Sequence, residues 1–448
     1  MMSTLKKVFL KSPFFIKKLF INAEAIRRDT FRRFGNYDEL LKKTDMKYIM
    51  ESGYRAEQEA LFADLMSYVK DNVIRYEDID AVSLSELEKI PILSKKELIE
   101  DIDSNLSKDI DKNKCFKSVT SGSTGTPLTY YHDKEGIRNN YLYTDKMLEL
   151  CGLTKDDKKV RISGVNIVPF DCTKPPFWIY INKYRQLQCS AYHMKEETYG
   201  SYLEAMIKNS VTFGTGYATA WYFLSEYVMK TGAKVPKLKA IVTDSEGISN
   251  EQQEIVKKAF DCPVYQTYGL SEIGQVGFQC KNGNYHFVPT TCIAEIVDED
   301  FNKVKNGKQG QIILTSLLSK ETPYIRYATG DLGIMGEGLC GCGWDTQYIT
   351  EIVGRIDDYV LTKDGRKIGR LSHIIKDGKG VIESQLIQTD RDNLLIKVVA
   401  GEDFEQSSME VVIQNAKNYL GQMNITWEKV PQLERTKNGK IKYVIRKF

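Results

Sequence analysis

The sequence predicts an α/β fold, in which a large N-terminal α/β domain precedes a small C-terminal α+β domain. Between residues 115 and 353, short β-branched segments alternate with helical segments, as expected for a sheet built from strand and helix units. The chain has 448 residues, which exceeds the length at which one hydrophobic core keeps growing. Two or more domains with a cleft between them are therefore expected.

The residue patterns divide the chain into three segments. Residues 1–110 are expected to form a helical lead-in, with helices near 56–73 and 95–102. Residues 111–354 are expected to form the α/β core, whose strands and helices are predicted near 159–162, 240–243, 264–268, 312–314, 199–208 and 250–260. Residues 355–448 are expected to form the small domain, whose turn, strands and helix are predicted near 363–366, 384–389, 394–400 and 408–420.

Composition excludes several classes of protein. The formal net charge of +3 is too small to indicate a polyanionic partner, so nucleic-acid binding is not expected. Nine cysteines without regular spacing indicate a reducing cytoplasm. The sequence contains no uninterrupted run of about 18 apolar residues, so no membrane-spanning helix is expected. Lys11, Lys17 and Lys18 interrupt the first apolar stretch, so no cleavable signal is expected.

The segment 6–33 mixes apolar side chains with nine Lys or Arg and two acids. This composition is typical of an amphipathic helix that lies on anionic lipid, which would place a cytoplasmic protein at the inner face of the membrane. The alternative is a helix that packs its apolar face on its own domain, and Pro13 interrupts the pattern. Peripheral membrane contact stays open as a prediction.

A loop rich in glycine and hydroxyl residues occupies positions 118–127 after a predicted strand. Glycines expose backbone N–H groups and Ser or Thr side chains add donors, so such a loop can surround phosphate oxygens. It lacks the Gly-Lys-Ser/Thr ending of a Walker A loop. A flexible surface linker is the alternative.

Two further motifs suit a nucleotide. In the run 265–272, Tyr268 can stack on a base and Glu272 can hold a Mg²⁺ ion that neutralises phosphates. Asp331 follows a glycine turn, where a carboxylate can accept both ribose hydroxyls as Rossmann acids do. Arg355 and Asp357 lie where the composition changes, and Lys440 lies in a basic turn near the C-terminus.

In this order, the motifs resemble those of the adenylate-forming superfamily, the acyl-CoA synthetases and their relatives, from Cys115 to the end of the chain. They most resemble the phenylacetate-CoA ligase and CapK-like branch. The resemblance implies a large adenylate-forming domain with a small mobile lid domain. It also implies ATP and Mg²⁺ as ligands and a carboxylic acid as substrate.

The resemblance also implies roles for individual residues. It assigns ATP binding to Ser121, Gly122, Ser123, Thr124, Gly125, Thr126, Ser245, Glu246, Gly247, Tyr268, Gly269, Ser271 and Asp331. Glu272 would bind Mg²⁺, Arg355 would reach the nucleotide, and Asp357 would be the hinge. Lys440 would bridge the carboxylate and the α-phosphate.

Cysteine and histidine spacing predicts a structural zinc site. Cys280 and His286 form one short pair, and Cys340 and Cys342 form another. Two such pairs from separate loops suit a tetrahedral Cys₃His site without a catalytic role. Similar positions occur in the phenylacetate-CoA ligase branch. Because the C-x-C spacing is tight, a plain glycine turn is the alternative.

The acyl pocket is expected in the segment 213–221, where relatives build their carboxylate pocket. Tyr217 and Trp221 are the candidates, and core packing is the alternative for either residue.

Three functions stay open. The first is an acyl-CoA ligase, with CoA as co-substrate. The second is a CapK-like ligase that acylates an amino sugar or another amine in surface polysaccharide synthesis. The third is an inactive nucleotide-binding module, which the presence of Glu272, Asp331, Arg355 and Lys440 disfavours.

Overall fold

The computed structural model of the chain describes residues 9–119, 128–245, 247–248, 250–298, 300–352, 360–362, 367–368, 371–375, 378–401, 404–421, 423–433 and 443–448. The helices of these residues are α1 (Phe14–Arg32), α2 (Tyr37–Lys43), α3 (Met46–Ser52), α4 (Arg55–Asn72), α5 (Lys95–Glu100), α6 (Lys134–Leu150), α7 (Glu196–Lys208), α8 (Ala218–Thr231), α9 (Asn250–Phe260), α10 (Ser372–Ile375) and α11 (Ser408–Leu420). No helix in these ranges is both long and apolar enough to cross a membrane.

Most strands of the large domain join one sheet. Its first strands are β3 (Lys159–Ser163), β4 (Trp178–Ile181), β5 (Gln186–Ser190), β6 (Phe213–Tyr217), β7 (Ile241–Asp244) and β8 (Val264–Leu270). It continues with β9 (Gly274–Gln279), β10 (Tyr285–Phe287), β11 (Cys292–Val297), β12 (Gln309–Ser316), β13 (Tyr327–Met335) and β14 (Tyr348–Ile352). A separate hairpin pairs β1 (Phe116–Val119) with β2 (Thr129–His132).

The strand order is β11-β12-β13-β14-β10-β9-β8-β7-β6-β3-β5-β4 among the described residues. Neighbours from β8 through β7, β6 and β3 to β5 run parallel, whereas β8 pairs antiparallel with β9. Helices α7, α8 and α9 connect the parallel strands, as such connections require. The predicted α/β class is confirmed.

Predicted elements agree with the structure to within a few residues. The strands near 159–162, 240–243, 264–268 and 312–314 are confirmed as β3, β7, β8 and β12. Helix α5 ends two residues before its predicted end, and its start carries a capping box between Ser94 and Glu97.

The small domain has its own sheet and core. Its strands are β15 (Val360–Leu361), β16 (Lys367–Ile368), β17 (Val381–Gln388), β18 (Asn393–Ala400), β19 (Asn424–Lys429) and β20 (Val444–Arg446). Four of these strands form one sheet in the order β19-β18-β17-β20. Helix α11 buries Val412, Ala416 and Leu420 against this sheet, in an apolar cluster that belongs to the small domain. The predicted boundary at residue 355 lies outside the described residues and stays a prediction.

The apolar face of the N-terminal segment points away from the domain. Phe15, Leu19 and Phe20 of α1 are exposed, and Pro13 precedes the first helical turn. These three side chains therefore do not pack on their own domain, whereas Ile21 of the same segment is partly buried against the core of the large domain. The buried positions of α1 are Lys17, Ala25 and Asp29 instead.

A buried ion pair ties the helical lead-in to the sheet. Arg326 donates from Nε and Nη2 to both carboxylate oxygens of Glu295 at 3.0 Å each. Its Nη1 donates to the carbonyl oxygens of Glu88 and Ile90 at 3.1 and 2.7 Å. Arg326 and Glu295 are each 5% exposed. The guanidinium group of Arg326 is therefore hydrogen-bonded directly to protein acceptors.

Replacing Glu295 with Ala should destabilise the large domain. The change leaves a buried guanidinium without its counter-ion, which costs about 3–5 kcal/mol of unfolding free energy. Urea denaturation followed by tryptophan fluorescence measures the loss. The control is Lys303→Ala, which removes an exposed pair with Glu88 and should cost less than about 1 kcal/mol. Equal effects of the two variants would contradict the assignment.

Candidate functional site

The carboxyl ends of three parallel strands meet at one edge of the sheet. Tyr217 ends β6 and lies opposite Asp244, the last residue of β7. In the next pair, Thr243 of β7 lies opposite Gln266 of β8, so Tyr268 extends past the same edge. Ligands of open α/β sheets bind outside such carboxyl ends. The predicted residues Tyr217, Ser245 and Tyr268 therefore share one edge.

Two tyrosine–carboxylate hydrogen bonds join β8 to β13. The Tyr268 hydroxyl donates to Asp331 Oδ2 at 2.9 Å, and the Tyr327 hydroxyl donates to Glu272 Oε1 at 2.9 Å. Each of the two segments contributes one tyrosine and, four residues later, one acid. Three strands separate β8 from β13 in the sheet, so the sheet must curl for these groups to meet. The structure thus brings together Tyr268, Glu272 and Asp331, which come from separate motifs.

Ser245 is held in an unusual backbone conformation. Its φ is +73°, a region that residues with a side chain rarely adopt, and its hydroxyl donates to Asp244 Oδ1 at 2.8 Å. Asp244 also accepts from both terminal nitrogens of Arg161 at 2.6 and 2.9 Å. Such strain persists only where the surroundings impose it, as they do at binding sites. Gly247 follows two residues later.

The β1–β2 hairpin lies beside the same edge. Val119 pairs with Thr129, so the two strands flank residues 120–127. His132 at the end of β2 donates from Nε2 to the carbonyl oxygen of Ser271 at 3.0 Å. Burial lowers the pKa of His132, which favours the neutral ring with one N–H donor. The hairpin is therefore fixed beside Ser271 and Glu272.

Gly269 is required by the close approach of β9 to the end of β8. A Cβ atom there would lie 2.4 Å from the carbonyl oxygen of Gly274. This close approach is a structural reason for the glycine, separate from any contact with a nucleotide.

Aromatic side chains line the region beyond Tyr217. A Cβ on Gly164 would lie 2.6 Å from the Tyr192 hydroxyl oxygen and 2.9 Å from that of Tyr217, so both hydroxyls face the same small space. The Tyr192 ring contacts Phe170 at 5.3 Å and Tyr419 of α11 at 5.0 Å between centroids. The small domain thus contributes a side chain to this aromatic cluster.

Trp221 lies elsewhere, inside the core. It is fully buried, its Nε1 donates to the carbonyl oxygen of Thr215 at 3.1 Å, and its ring meets Phe260 edge-on at 5.2 Å. The two acyl-pocket candidates therefore differ: Tyr217 reaches the strand edge and Trp221 packs beneath it.

The four predicted metal ligands converge. Cys280 follows β9, His286 lies on β10, and Cys340 and Cys342 lie between β13 and β14. Their ligand atoms all lie within 4.8 Å of one another. The Sγ atoms of Cys280 and Cys340 are 3.6 Å apart, and Cys342 Sγ is 3.4 Å from His286 Nε2.

These distances fit a tetrahedral zinc ion. Bonds of about 2.3 Å to sulfur and 2.0 Å to nitrogen place two sulfurs about 3.8 Å apart and a sulfur and a nitrogen about 3.5 Å apart. His286 Nδ1 lies 2.9 Å from the Thr346 hydroxyl, which directs Nε2 toward the cysteines. Burial lowers the pKa of His286 to about 4, so the ring is neutral as a ligand must be.

Ten predicted site residues lie outside the described residues. They are Ser121 to Thr126 of the phosphate loop together with Glu246. Arg355, Asp357 and Lys440 of the small domain and its joint lie outside them as well. That set stays a prediction.

Sequence reasoning did not assign roles to Tyr327, Tyr192 or Arg161. For Tyr327 a signal exists, because both Tyr268 and Tyr327 precede an acid by four residues. Tyr192 and Arg161 carry no such local pattern, since their neighbours at the site are distant in sequence.

Comparison with known proteins adds sequence relatives. The CapK C-terminal domain family matches residues 360–447. Protein CapK of Staphylococcus aureus is 26% identical over 406 residues, which cover 87% of this chain and 88% of that protein. A phenylacetate-coenzyme A ligase of Thermus thermophilus is 34% identical over 106 residues, which cover 21% of this chain and 23% of that protein.

A solved structure shares the fold. The crystal structure of 2-hydroxyisobutyryl-CoA ligase with 2-HIB-AMP and CoA in the thioesterification state matches with a TM-score of 0.60 at 16% identity. The match covers 89% of this chain and 91% of that one. The chain is thus similar in sequence to CapK over most of its length and to a phenylacetate-coenzyme A ligase over a shorter stretch, and it shares the fold of an acyl-CoA ligase.

Proposed function

We propose that the protein is an ATP-dependent, AMP-forming ligase that activates a carboxylic acid as an acyl-adenylate and transfers the acyl group to a thiol, CoA. The observation that carries the proposal is the meeting of Tyr268, Glu272 and Asp331 at the carboxyl edge of the parallel strands. These residue types suit a base, a metal-bound phosphate and a ribose.

In the first half-reaction, a carboxylate oxygen of the acid attacks the α-phosphorus of ATP. A new C(O)O–P bond forms, the P–O bond to pyrophosphate breaks, and pyrophosphate leaves with the electron pair. Two anions must approach each other, so cationic and N–H donors have to stabilise the transition state. We assign this role to Lys440 and to the loop 121–126, with Arg355 at the nucleotide.

Glu272 is the proposed ligand for Mg²⁺, which would neutralise phosphate charge when bound. Its carboxylate is 8% exposed and accepts from Tyr327, so one oxygen is oriented by the protein. Tyr327 is thus a positioning residue. Asp331 would accept the ribose hydroxyls, while the Tyr268 ring would stack on adenine beside Ser245 and Gly247.

The small domain is the proposed lid. Asp357 would be the hinge about which it rotates between the two half-reactions, because an acyl-adenylate has to be shielded from water before the acceptor enters. The contact of Tyr419 with Tyr192 supports a lid that reaches the aromatic cluster. Tyr217 and Tyr192 would line the acyl pocket, with Trp221 supporting them from the core.

The second candidate for the acceptor is an amine, such as an amino sugar of a surface polysaccharide. The match to the CapK C-terminal domain over residues 360–447 favours it, because the lid is the part of the chain that would present the acceptor. The two candidates are distinguished by adding CoA or an amino sugar to preformed acyl-adenylate and following AMP release.

Zinc is the proposed occupant of the Cys₃His cluster. With four protein ligands it would have no open position, so its role would be structural. It would join the β9–β10 hairpin to the loop between β13 and β14, close to the strand that carries Asp331.

Replacing Lys440 with Ala should lower the rate of adenylation at least about 100-fold, because one preorganised donor to the transition state is lost. ATP-pyrophosphate exchange with the preferred acid measures the rate, and fluorescence titration should show ATP still bound. The control is Lys437→Ala, which removes a positive charge three residues away and should retain exchange. A Lys440 variant with unchanged exchange would refute the assignment.

Replacing Tyr327 with Phe should raise the Mg²⁺ concentration needed for half-maximal exchange by about tenfold or more, since a lost hydrogen bond to a charged acceptor is worth about 1.5–3 kcal/mol. The matched control is Tyr76→Phe, whose buried hydroxyl donates to Asn105 at 3.1 Å. If only thermal stability changes and the Mg²⁺ dependence does not, Tyr327 does not position Glu272.

Purified protein should contain about one zinc ion per chain by plasma mass spectrometry. Cys340→Ser should lose most of this metal, since three ligands bind zinc more weakly than four, and should melt at a lower temperature. Cys115→Ser, which changes a cysteine outside the cluster, should change neither property. Wild-type protein with far less than one zinc and unaltered stability would exclude the structural site.

A further inference from the structure

Helix α1 contacts the rest of the protein through several polar groups, beside the apolar side chains of Ile21 and Ala25. Asn22 Nδ2 donates to the carbonyl oxygen of Tyr180 at 3.2 Å, and the backbone N–H of Asn182 donates to Asn22 Oδ1 at 2.8 Å. Tyr180 lies on β4, an end strand of the large sheet, whose outer backbone groups need partners. The amide of Asn22 supplies one, so a polar residue occupies this inward position.

The same face continues toward the end of the helix. The Tyr184 hydroxyl donates to the carbonyl oxygen of Ala25 at 2.9 Å. Asp29 forms ion pairs with Arg33 and with Lys183, the latter at 2.9 Å. Because these contacts fix the rotation of α1, the side chains on the opposite face have to point outward.

That opposite face is apolar. Phe15, Leu19 and Phe20 are 64%, 68% and 60% exposed, and Ile16 and Ile26 are exposed as well. Their positions follow the helical repeat and form one stripe along α1. An exposed stripe of this size marks an interaction surface. A surface helix usually turns its apolar face toward the core. In the described part of the chain, α1 instead exposes this apolar stripe to solvent.

Basic side chains flank the stripe. Lys11 and Lys18 are exposed, and the side chains of Arg27 and Arg28 are 70% and 53% exposed. Glu24 bonds to both arginines at 2.7 Å and offsets only part of the charge. Positive charge beside an exposed apolar stripe complements an anionic lipid surface.

We propose that the outward face of α1 (Phe15, Ile16, Leu19, Phe20 and Ile26) docks the protein on anionic lipid, with Lys11, Lys18, Arg27 and Arg28 at the headgroups. A second copy of the chain is a poorer occupant. In a two-fold contact the same basic flanks would face each other, and like charges oppose such an interface. In this orientation, the edge of the large sheet that faces the lipid is the one formed by β4.

Co-sedimentation with vesicles tests the proposal. The full chain should bind vesicles of phosphatidylglycerol and phosphatidylcholine, and bind pure phosphatidylcholine at least tenfold more weakly. Leu19→Glu/Phe20→Glu should lower binding to the anionic vesicles at least tenfold. The matched control is Met229→Glu/Val411→Glu, which changes exposed apolar residues of α8 and α11 and should bind as the wild type does.

A charge variant and two further measurements complete the test. Lys18→Glu/Arg28→Glu should remove the preference for anionic vesicles. All variants should keep the wild-type melting temperature, and the Leu19→Glu/Phe20→Glu variant should keep ATP-pyrophosphate exchange. Absence of wild-type binding, or equal binding by the α1 variants, would overturn the proposal. So would a wild-type dimer that Leu19→Glu/Phe20→Glu disperses, because it would assign the face to a second copy.

Discussion

The site depends on the pair of hydrogen bonds that join β8 and its following turn to β13. Tyr268 binds Asp331 and Tyr327 binds Glu272, so two segments about sixty residues apart are held together by reciprocal tyrosine–carboxylate contacts. These bonds bring the end of β8 against β13, although β9, β10 and β14 lie between the two strands in the sheet. Because they involve the groups that we propose for base, ribose and metal, the geometry proposed for nucleotide binding is also the geometry that shapes the sheet.

The large domain supports this edge from both sides. Toward the lead-in, the buried Arg326–Glu295 pair fixes the segment before β13, and Arg326 donates to the carbonyl oxygens of Glu88 and Ile90. Toward the loop after β13, the four Cys and His side chains converge where the β9–β10 hairpin pairs with β14. Asp331 therefore lies on a strand restrained at both ends, which suits the proposed role of meeting a ligand without reorganisation.

The sequence predicted those parts of the fold and site that depend on local pattern. Strands β3, β7, β8 and β12 follow from β-branched runs, and the convergence of Cys280, His286, Cys340 and Cys342 agrees with their spacing. Trp221 could not be placed from sequence, because only the packing on Phe260 shows that it faces the core. The outward rotation of α1 could not be predicted either, because it depends on Asn22 meeting the end strand β4.

The most direct test of the central claim is mass spectrometry of the nucleotide products. Enzyme, Mg²⁺ and ATP are mixed with single acids from a panel of aryl, fatty and amino acids, without any acceptor, and quenched after one turnover. An adenylate-forming ligase should yield an acyl-adenylate of the matching mass together with one equivalent of pyrophosphate for at least one acid. Formation of ADP and phosphate in place of pyrophosphate, or ATP left intact with every acid although it binds, would contradict the claim.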